Sequence, residues 1–459
     1  MVAAGAASRC SYEYDRGMWK ILAAKVCKPH AGRVVRSVLI CSLGLSACGR
    51  AINVDTLEAS RATADRELSN GHYSAARVTY EKLLREIPGH PGIQLSYARS
   101  LIGLGQLTDA AAVYRELLDE GFGVIMVDEP GFSRLAGRAE YPALLARVKA
   151  QSQPQATARV AFEIPEPRFI AEGLAFDQRS GQFFASSTYL RKIVVREPDG
   201  RLRDFVPTAD HGLLPVLGMK VDSARSHLVV LTASDDARMV DFKREYLGRS
   251  GVFIYQLPTG RLLQATWLPP GGKHLFNDLV LDADGEAYIT DSDEGRIYRL
   301  SADGRQLRAV TPAGVFLYPN GIDIDAARHL LFVADTRGVW TVELATAAVK
   351  SLPQEMGIST VALDGLYLHG DYLIGVQNLP KLARVVAFRL SLDHQRIVSA
   401  EPLDSVDARL VVPTEGVVVG EDFYFVAQSF QDAVDAKGVI AEPQGTAPTQ
   451  VLTLRLPVR

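Results

Sequence analysis

Beyond residue 48 the chain contains no cysteine: all four, Cys10, Cys27, Cys41 and Cys48, lie near the start of its 459 residues. No disulfide and no thiolate metal site can form after that point. The nine histidines are scattered. There is no His-Glu-x-x-His pair, no Gly-x-Ser-x-Gly elbow and no Gly-rich phosphate loop. Zinc proteases, serine hydrolases of that type and nucleotide-driven enzymes therefore have no support. A formal net charge of −3, with no basic tract interleaved with aromatics, argues against nucleic acid as a partner. What is present is ordinary for a globular protein, 47% hydrophobic and 22% charged. The length calls for two or three domains.

The first 48 residues stand apart. Lys20, Lys25, Lys28, Arg33 and Arg36 precede a short apolar stretch that ends in Leu45-Ser46-Ala47-Cys48. The stretch is too short to span a bilayer as a mature helix. The tetrapeptide resembles a bacterial lipoprotein box, in which the Cys is lipidated and becomes the mature N-terminus. The resemblance implies a leader over 1–47, a lipid anchor at Cys48 and a bacterial cell-envelope location. Gly49 stands where an Asp would favour inner-membrane retention, so a periplasm-facing position at the outer membrane is expected. Met18 would give a leader of more usual length. A buried N-terminal helix with a chance Cys is the alternative. Residues 1–47 carry seven Lys or Arg and two Asp or Glu, so a chain beginning at Cys48 has a net charge of −8 rather than −3.

Two regions with different periods follow. Over 48–150 the pattern is helical and repeats: Gly71, Tyr73, Ala76 and Tyr80 return as Gly105, Leu107, Ala110 and Tyr114, an offset of 34 residues. That is the tetratricopeptide period, and the segment resembles such arrays over two units. Two units are few for a solenoid, so this region is expected to pack on something else. Phe132 to Lys149 reads as a capping helix pair and 151–159 as a linker. The repeat also makes a protein partner possible.

From 160 to 459 short apolar or alternating runs are punctuated by turns such as Pro198-Asp199-Gly200 and Asp282-Ala283-Asp284-Gly285, the signature of an all-β region. Asp282 to Gly285 resembles the start of a calcium loop but lacks the later ligands and fits a hairpin turn better. Asp291-Ser292-Asp293-Glu294 reads as a solvated loop. One theme recurs six times, a polar residue, Gly, an alternating apolar run, a turn and an aromatic-rich strand, with anchors at 173, 218, 279, 321, 365 and 416. Spacings of blade length predict a six-bladed β-propeller behind the helical hairpins, an α plus all-β multidomain chain. The run 450–456 is expected to supply the outer strand of the first blade, and the insertion 235–250 to lie over one face.

In a propeller, residues just before each innermost strand reach the mouth of the central channel. Glu172, Asn277, Asn320 and Asp364 occupy that place in four units. They offer only oxygen, with a charge of −2 that balances a dication. Oxygen-only ligation favours Ca²⁺, with Mg²⁺ or Mn²⁺ as alternatives, over structural Zn²⁺. Each motif alone also suits a turn, since Asn and Asp before Gly are turn formers.

The ordered set Glu172-Gly173, Asn277-Asp278, Pro319-Asn320-Gly321 and Asp364-Gly365 resembles the gluconolactonase/regucalcin (SMP-30 type) family of six-bladed propellers. More distant similarity extends to paraoxonases and strictosidine-synthase-like proteins. The resemblance implies that Glu172, Asn320 and Asp364 bind a divalent metal, that Asn277 lines the metal and substrate site, and that lactones or other carboxylic esters are hydrolysed. It makes Asp364 the base. A carboxylate on a dication is a weak base, so water held on the metal is the other source of nucleophile. Two departures matter: Leu275 replaces an Arg common in sugar-lactone members, and Leu217 replaces a paraoxonase His. Neither a sugar-acid substrate nor a His-assisted mechanism is supported. Lys220, His274, Asp278 and Glu415 are further candidate substrate contacts at the mouth. The competing reading is a non-catalytic, metal-stabilised propeller that acts with the helical repeat as an envelope binding or scaffold protein.

Overall fold

The computed structural model describes residues 54–379, 381–441 and 447–458. The expected leader and the expected lipidation site, Cys48, lie outside the described residues.

The helical region opens with two hairpins: α1 (Val54–Ser69) with α2 (Tyr73–Glu86), and α3 (Pro91–Gly103) with α4 (Leu107–Asp119). The 34-residue echo has a physical basis. Gly71 and Gly105 turn the two hairpins with φ of +78° and +74°, a region open mainly to glycine. Ala76 and Ala110 let the paired helices close, and Tyr80 and Tyr114 fill the grooves, all four without solvent exposure. Pro91 begins α3 at a position that needs no N–H donor. Two further helices, α5 (Pro130–Ser133) and α6 (Tyr141–Gln151), cap the array. Phe132, Leu135, Leu144 and Val148 join the core around Tyr114. The linker is bound rather than loose: Gln155 N–H donates to Ser405 O at 2.9 Å and Thr157 N–H to Asp404 Oδ2 at 2.8 Å. No helix among the described residues is long and apolar enough to cross a membrane.

The remaining chain forms six four-stranded antiparallel sheets, β1 to β24 in chain order. The innermost strands are β2 (Ala171–Asp177), β6 (Val216–Asp222), β10 (Phe276–Leu281), β14 (Ile322–Asp325), β18 (Leu363–His369) and β22 (Gly416–Val419). Ring closure corrects the expectation about the C-terminal run. That run, β24 (Thr449–Arg455), is the third strand of the last blade. The outermost strand of the same blade is β1 (Arg159–Ile164), in register with it from Ile164↔Thr449 onward. The N-terminal strand therefore completes the last blade, and the first blade is complete in itself. Either arrangement ties the two ends of the ring, but the exposed edge falls on the strand that leaves the linker.

The helical region packs on the propeller. Val361, Leu379 and Leu382 of the fifth blade belong to the same core as Leu101, Tyr114 and Leu118, and Leu317 of the fourth-blade entry loop belongs to the core of α1 and α2. Arg384, almost fully buried, donates to Gly121 O at 3.2 Å and Glu120 O at 3.3 Å, at the C-terminal end of α4 where carbonyls lack helical partners. Its guanidinium also lies 5.0 Å from the Phe122 ring centre. Packing on a neighbour explains how two repeat units suffice.

Candidate metal and substrate site at the propeller mouth

The inner strands start with a shared irregularity. In β2, β6, β10 and β18 the register slips across a dipeptide: Glu172-Gly173, Leu217-Gly218, Asn277-Asp278 and Asp364-Gly365 each face a single residue of the next strand. Such bulges re-aim a side chain, here toward the axis. Hydroxyls stitch two of them: Ser186 Oγ accepts from Gly173 N–H at 2.7 Å and Thr290 Oγ1 from Asp278 N–H at 3.0 Å. The glycines are required by crowding. A Cβ on Gly173 would lie 2.4 Å from Leu217 O, and one on Gly321 2.6 Å from Asp364 O. The blade entry loops are clamped by side chains at the end of the second strand: Asp291 Oδ1 accepts from Leu275 N–H at 3.0 Å and Asp335 Oδ2 from Leu317 N–H at 2.9 Å.

Glu172, Asn277, Asn320 and Asp364 all line one cavity of about 470 Å³ at the mouth. Asn320 Nδ2 donates to Asp364 Oδ1 at 2.5 Å, while its amide oxygen is buried with no partner. Asn277 Nδ2 donates to Ser292 Oγ at 3.0 Å, which commits its donor side and leaves its acceptor. Gln431 Nε2 donates to Glu172 Oε2. Burial pushes the Glu172 carboxyl well above its usual range, and the charges of Asp364 and Asp278 add to this. Burial raises Asp364 to about 6, against the bonds it accepts from Asn320 and Asn378. Two buried carboxyls beside a buried amide oxygen with no protein partner form an oxygen-only donor set of the kind that suits a hard dication. The donor set fits Ca²⁺, and Glu172, Asn320 and Asp364 are the residues that would hold it.

A second layer lies beneath. Five of the six blades carry Gly after the mouth residue; the third carries Asp278, fully buried. Asp278 Oδ1 lies 3.2 Å from Lys220 Nζ and accepts from Leu279 N–H at 2.7 Å. Lys220 also stands 5.6 Å from the Tyr367 ring centre. Burial pulls the Lys220 ammonium down, but Asp278, Glu415 and Asp323 outweigh it and its pKa is raised. Glu415 is fully buried with neither oxygen partnered, and burial, then Asp278, pushes it far up. Asp323 is raised to about 6 by burial while accepting from Leu368 and Ile324 N–H at 2.6 and 2.8 Å. Lys220, Asp278 and Glu415 are brought together on the axis, under the ring, and are not among the residues lining the cavity.

His274 is placed elsewhere. Its Nδ1 pairs with Asp291 Oδ2 at 2.7 Å, and this bond raises its pKa. His274, Asp291 and Glu294 converge closely enough to hold an ion. Their atoms are already used: Asp291 Oδ1 by Leu275 and Glu294 N–H, and Glu294 Oε2 by the Tyr298 hydroxyl at 2.8 Å. Asp291 and Ser292 are buried and Glu294 is half-buried, which corrects the reading of 291–294 as a solvated loop; Asp293 alone of the four is exposed.

Sequence reasoning missed several residues of the cavity. Tyr318, at φ +54°, packs on Leu217, Ala233 and Leu275. Burial, then Asp235 and Asp293, holds its phenol well above the usual range. Asp235, from the insertion that does lie over this face, is raised to about 7 by burial and Asp236. Asn378 lies near the end of a second strand and Gln431 follows one, where nothing periodic marks them; Tyr318 directly precedes the Pro319-Asn320-Gly321 motif.

A six-bladed propeller whose mouth gathers carboxylates and amides is thus the class that fold and site define. Residues 170–356, the first four blades, match the family described as SMP-30/Gluconolactonase/LRE-like region, and residues 67–123 match a tetratricopeptide repeat family. Asp364 and Glu415 lie outside the first match. No curated protein sequence matches the chain. Among solved structures, a gluconolactonase from Xanthomonas campestris is similar at 14% identity, covering 66% of this chain and 96% of its own, with a TM-score of 0.44. A calcium-binding regucalcin from Agrobacterium tumefaciens is similar at 16% identity, covering 64% and 93%, with a TM-score of 0.43. A PQQ-bound aldose sugar dehydrogenase from Streptomyces coelicolor is similar at 13% identity, covering 66% and 99%, with a TM-score of 0.45.

Proposed function

We propose that this protein is a divalent-metal-dependent hydrolase of lactones or other carboxylic esters, anchored through Cys48 to the bacterial envelope and facing the periplasm at the outer membrane. The observation that carries the reading is the convergence of Glu172, Asn320 and Asp364, from three separate blades, around a buried amide oxygen with no partner. The gluconolactonase-like match of the first four blades supports lactonase-type chemistry.

Ca²⁺ held by Glu172, Asn320 and Asp364, or Mg²⁺ or Mn²⁺ in its place, would supply a Lewis acid for the substrate carbonyl and its oxyanion. The side chains do the remainder. Asn277, oriented by Ser292, presents an amide oxygen as a fourth ligand or a substrate contact. Asp364, which accepts bonds from Asn320 and Asn378, would serve as the base that the family resemblance implies, a weak one while it ligates a dication. Leu217 and Leu275 line the cavity where an Arg or His would serve a sugar acid or a His-assisted path.

The test is calorimetric Ca²⁺ binding to protein beginning after Cys48, with a screen of lactones and aryl esters for wild type and Asp364→Ala. Wild type is expected to bind Ca²⁺ and turn over at least one ester, and the variant to lose both. No metal binding by wild type would sink the site. Binding without turnover of any ester would leave a metal-stabilised binding propeller. Cys48→Ser in the full chain should release the protein from membranes; unchanged partitioning would count against the anchor.

A further inference from the structure

The helical repeat does more than sit beside the propeller. The cavity whose floor is Glu172, Asn320 and Asp364 is also lined by Val54 and Leu57 of α1 and by His90 just before α3. The helices therefore roof the mouth. The roof is fixed in place on two sides: Leu57 shares a core with propeller Leu317, and Leu101 and Leu118 share one with Val361, Leu379 and Leu382. Arg384 pins the end of α4 through two backbone carbonyls. Between roof and floor one side of the wall is apolar, with Leu217, Ala233 and Leu275 forming a cluster against Tyr318, while Asp235, Asp236, Arg238 and Asp432 line other parts of the same cavity.

We infer that the helical repeat completes the substrate site, and that together with the Leu217/Leu275 wall it selects a lactone or ester bearing an apolar chain over a polyhydroxylated one. The inference rests on the hydrolase reading for its reacting group, but the selection itself is a property of the walls. A sugar lactone entering this space would exchange water for leucine and valine around its hydroxyls, which is costly. An alkyl chain placed against Val54, Leu57, Leu217 and Leu275 gains the transfer energy of every methylene it hides. The carbonyl is left at the floor, where the oxygen ligands are. This also gives a physical reason for a two-unit repeat to remain attached: its core is completed by the propeller, and the propeller's cavity is completed by the repeat.

The experiment compares γ-valerolactone, γ-decalactone, γ-dodecalactone and glucono-δ-lactone on wild type, Leu57→Ala and Val54→Asp, with Ca²⁺ present. Two readouts are taken: kcat/KM, and lactone binding by calorimetry, which does not need turnover. Wild type should favour the long chains over γ-valerolactone and over glucono-δ-lactone. Each roof variant should lower the long-to-short ratio of kcat/KM by about tenfold. Val54, partly exposed at the first turn of α1, keeps the test available if Leu57→Ala fails to fold. If no lactone or ester is hydrolysed but γ-dodecalactone still binds more tightly than γ-valerolactone, and the variants erase that difference, the hydrolase reading falls and the roof stands. A wild type with no chain-length preference in either readout, or a preference that both variants leave intact, overturns the inference.

Discussion

The mouth ring and the layer below it meet in two blades, where Asn277 and Asp278 stand one residue apart and Asn320 and Asp323 three, yet the two layers solve opposite problems. Both crowd carboxyls onto one axis. In the lower layer the protein brings its own cation, Lys220, against Asp278, Glu415 and Asp323. In the ring no cation among the described residues pairs with Glu172 or Asp364, although Arg238 and Lys381 line the wider cavity; amides from Asn320, Asn378 and Gln431 are their company. A buried charge needs a partner, and the choice between an internal ammonium and an exchangeable ion separates a structural layer from a site. Lys220 is therefore the internal counter-ion of the lower layer.

That contrast can be broken most strongly at the ring. Asp364→Ala should weaken Ca²⁺ binding by about a hundredfold or more, since it removes a ligand and frees Asn320 Nδ2; titration calorimetry reads it directly. Next is Lys220→Met, which strips the lower layer of its cation and leaves buried carboxyls uncompensated. A loss of about 3–5 kcal/mol in chemical denaturation is expected, with Asp278→Asn in the same chain restoring part of it. A smaller effect should come from pH. Glu172 and Asp364 are raised, so below about pH 6 the metal-free ring holds protons that Ca²⁺ must displace. Affinity should rise as pH increases from 5 to 7, by at most about tenfold per unit for each proton released. A flat or falling profile would mean that these carboxyls are not ligands. The least effect is expected from Glu415→Gln. Near pH 4, where Glu415 holds its proton in both the folded and the unfolded chain, the near-isosteric amide should change stability by about 1 kcal/mol or less and leave Ca²⁺ binding in place. The sign follows from linkage. A raised folded pKa makes native Glu415 hold its proton longer than the unfolded chain does. Wild type therefore loses stability as pH climbs above the usual glutamate range, and the variant should not share that part of the loss.

Local repetition accounts for what is legible in the amino-acid sequence alone. Blade-length spacing and turn chemistry recur along the chain, so six units and the positions of Glu172, Asn277, Asn320 and Asp364 can be counted off. The 34-residue echo is legible because Ala and Tyr recur where helices touch. The exception at Asp278 is legible too, as the one blade without Gly at that place. What stays hidden depends on contacts far apart in sequence. The pairing of Ile164 with Thr449, the burial of Asp291 by the loop it clamps, and the seating of α1 over Asn320 leave no local period behind. Lys220 and Glu415 read as mouth residues because a one-dimensional pattern gives position along the axis only to within a residue or two.

Val54, which lines the cavity, stands six residues after Cys48. Six residues of fully extended chain reach about 20 Å at most. A lipid on Cys48, as proposed above, would act as a very short leash on the roof itself. The cavity's rim would be held close to the bilayer surface and could not swing freely to face away from it. Substrates would then be encountered at the local concentration of an interface rather than of bulk water, and an apolar chain, already enriched in the membrane, would have little distance to travel.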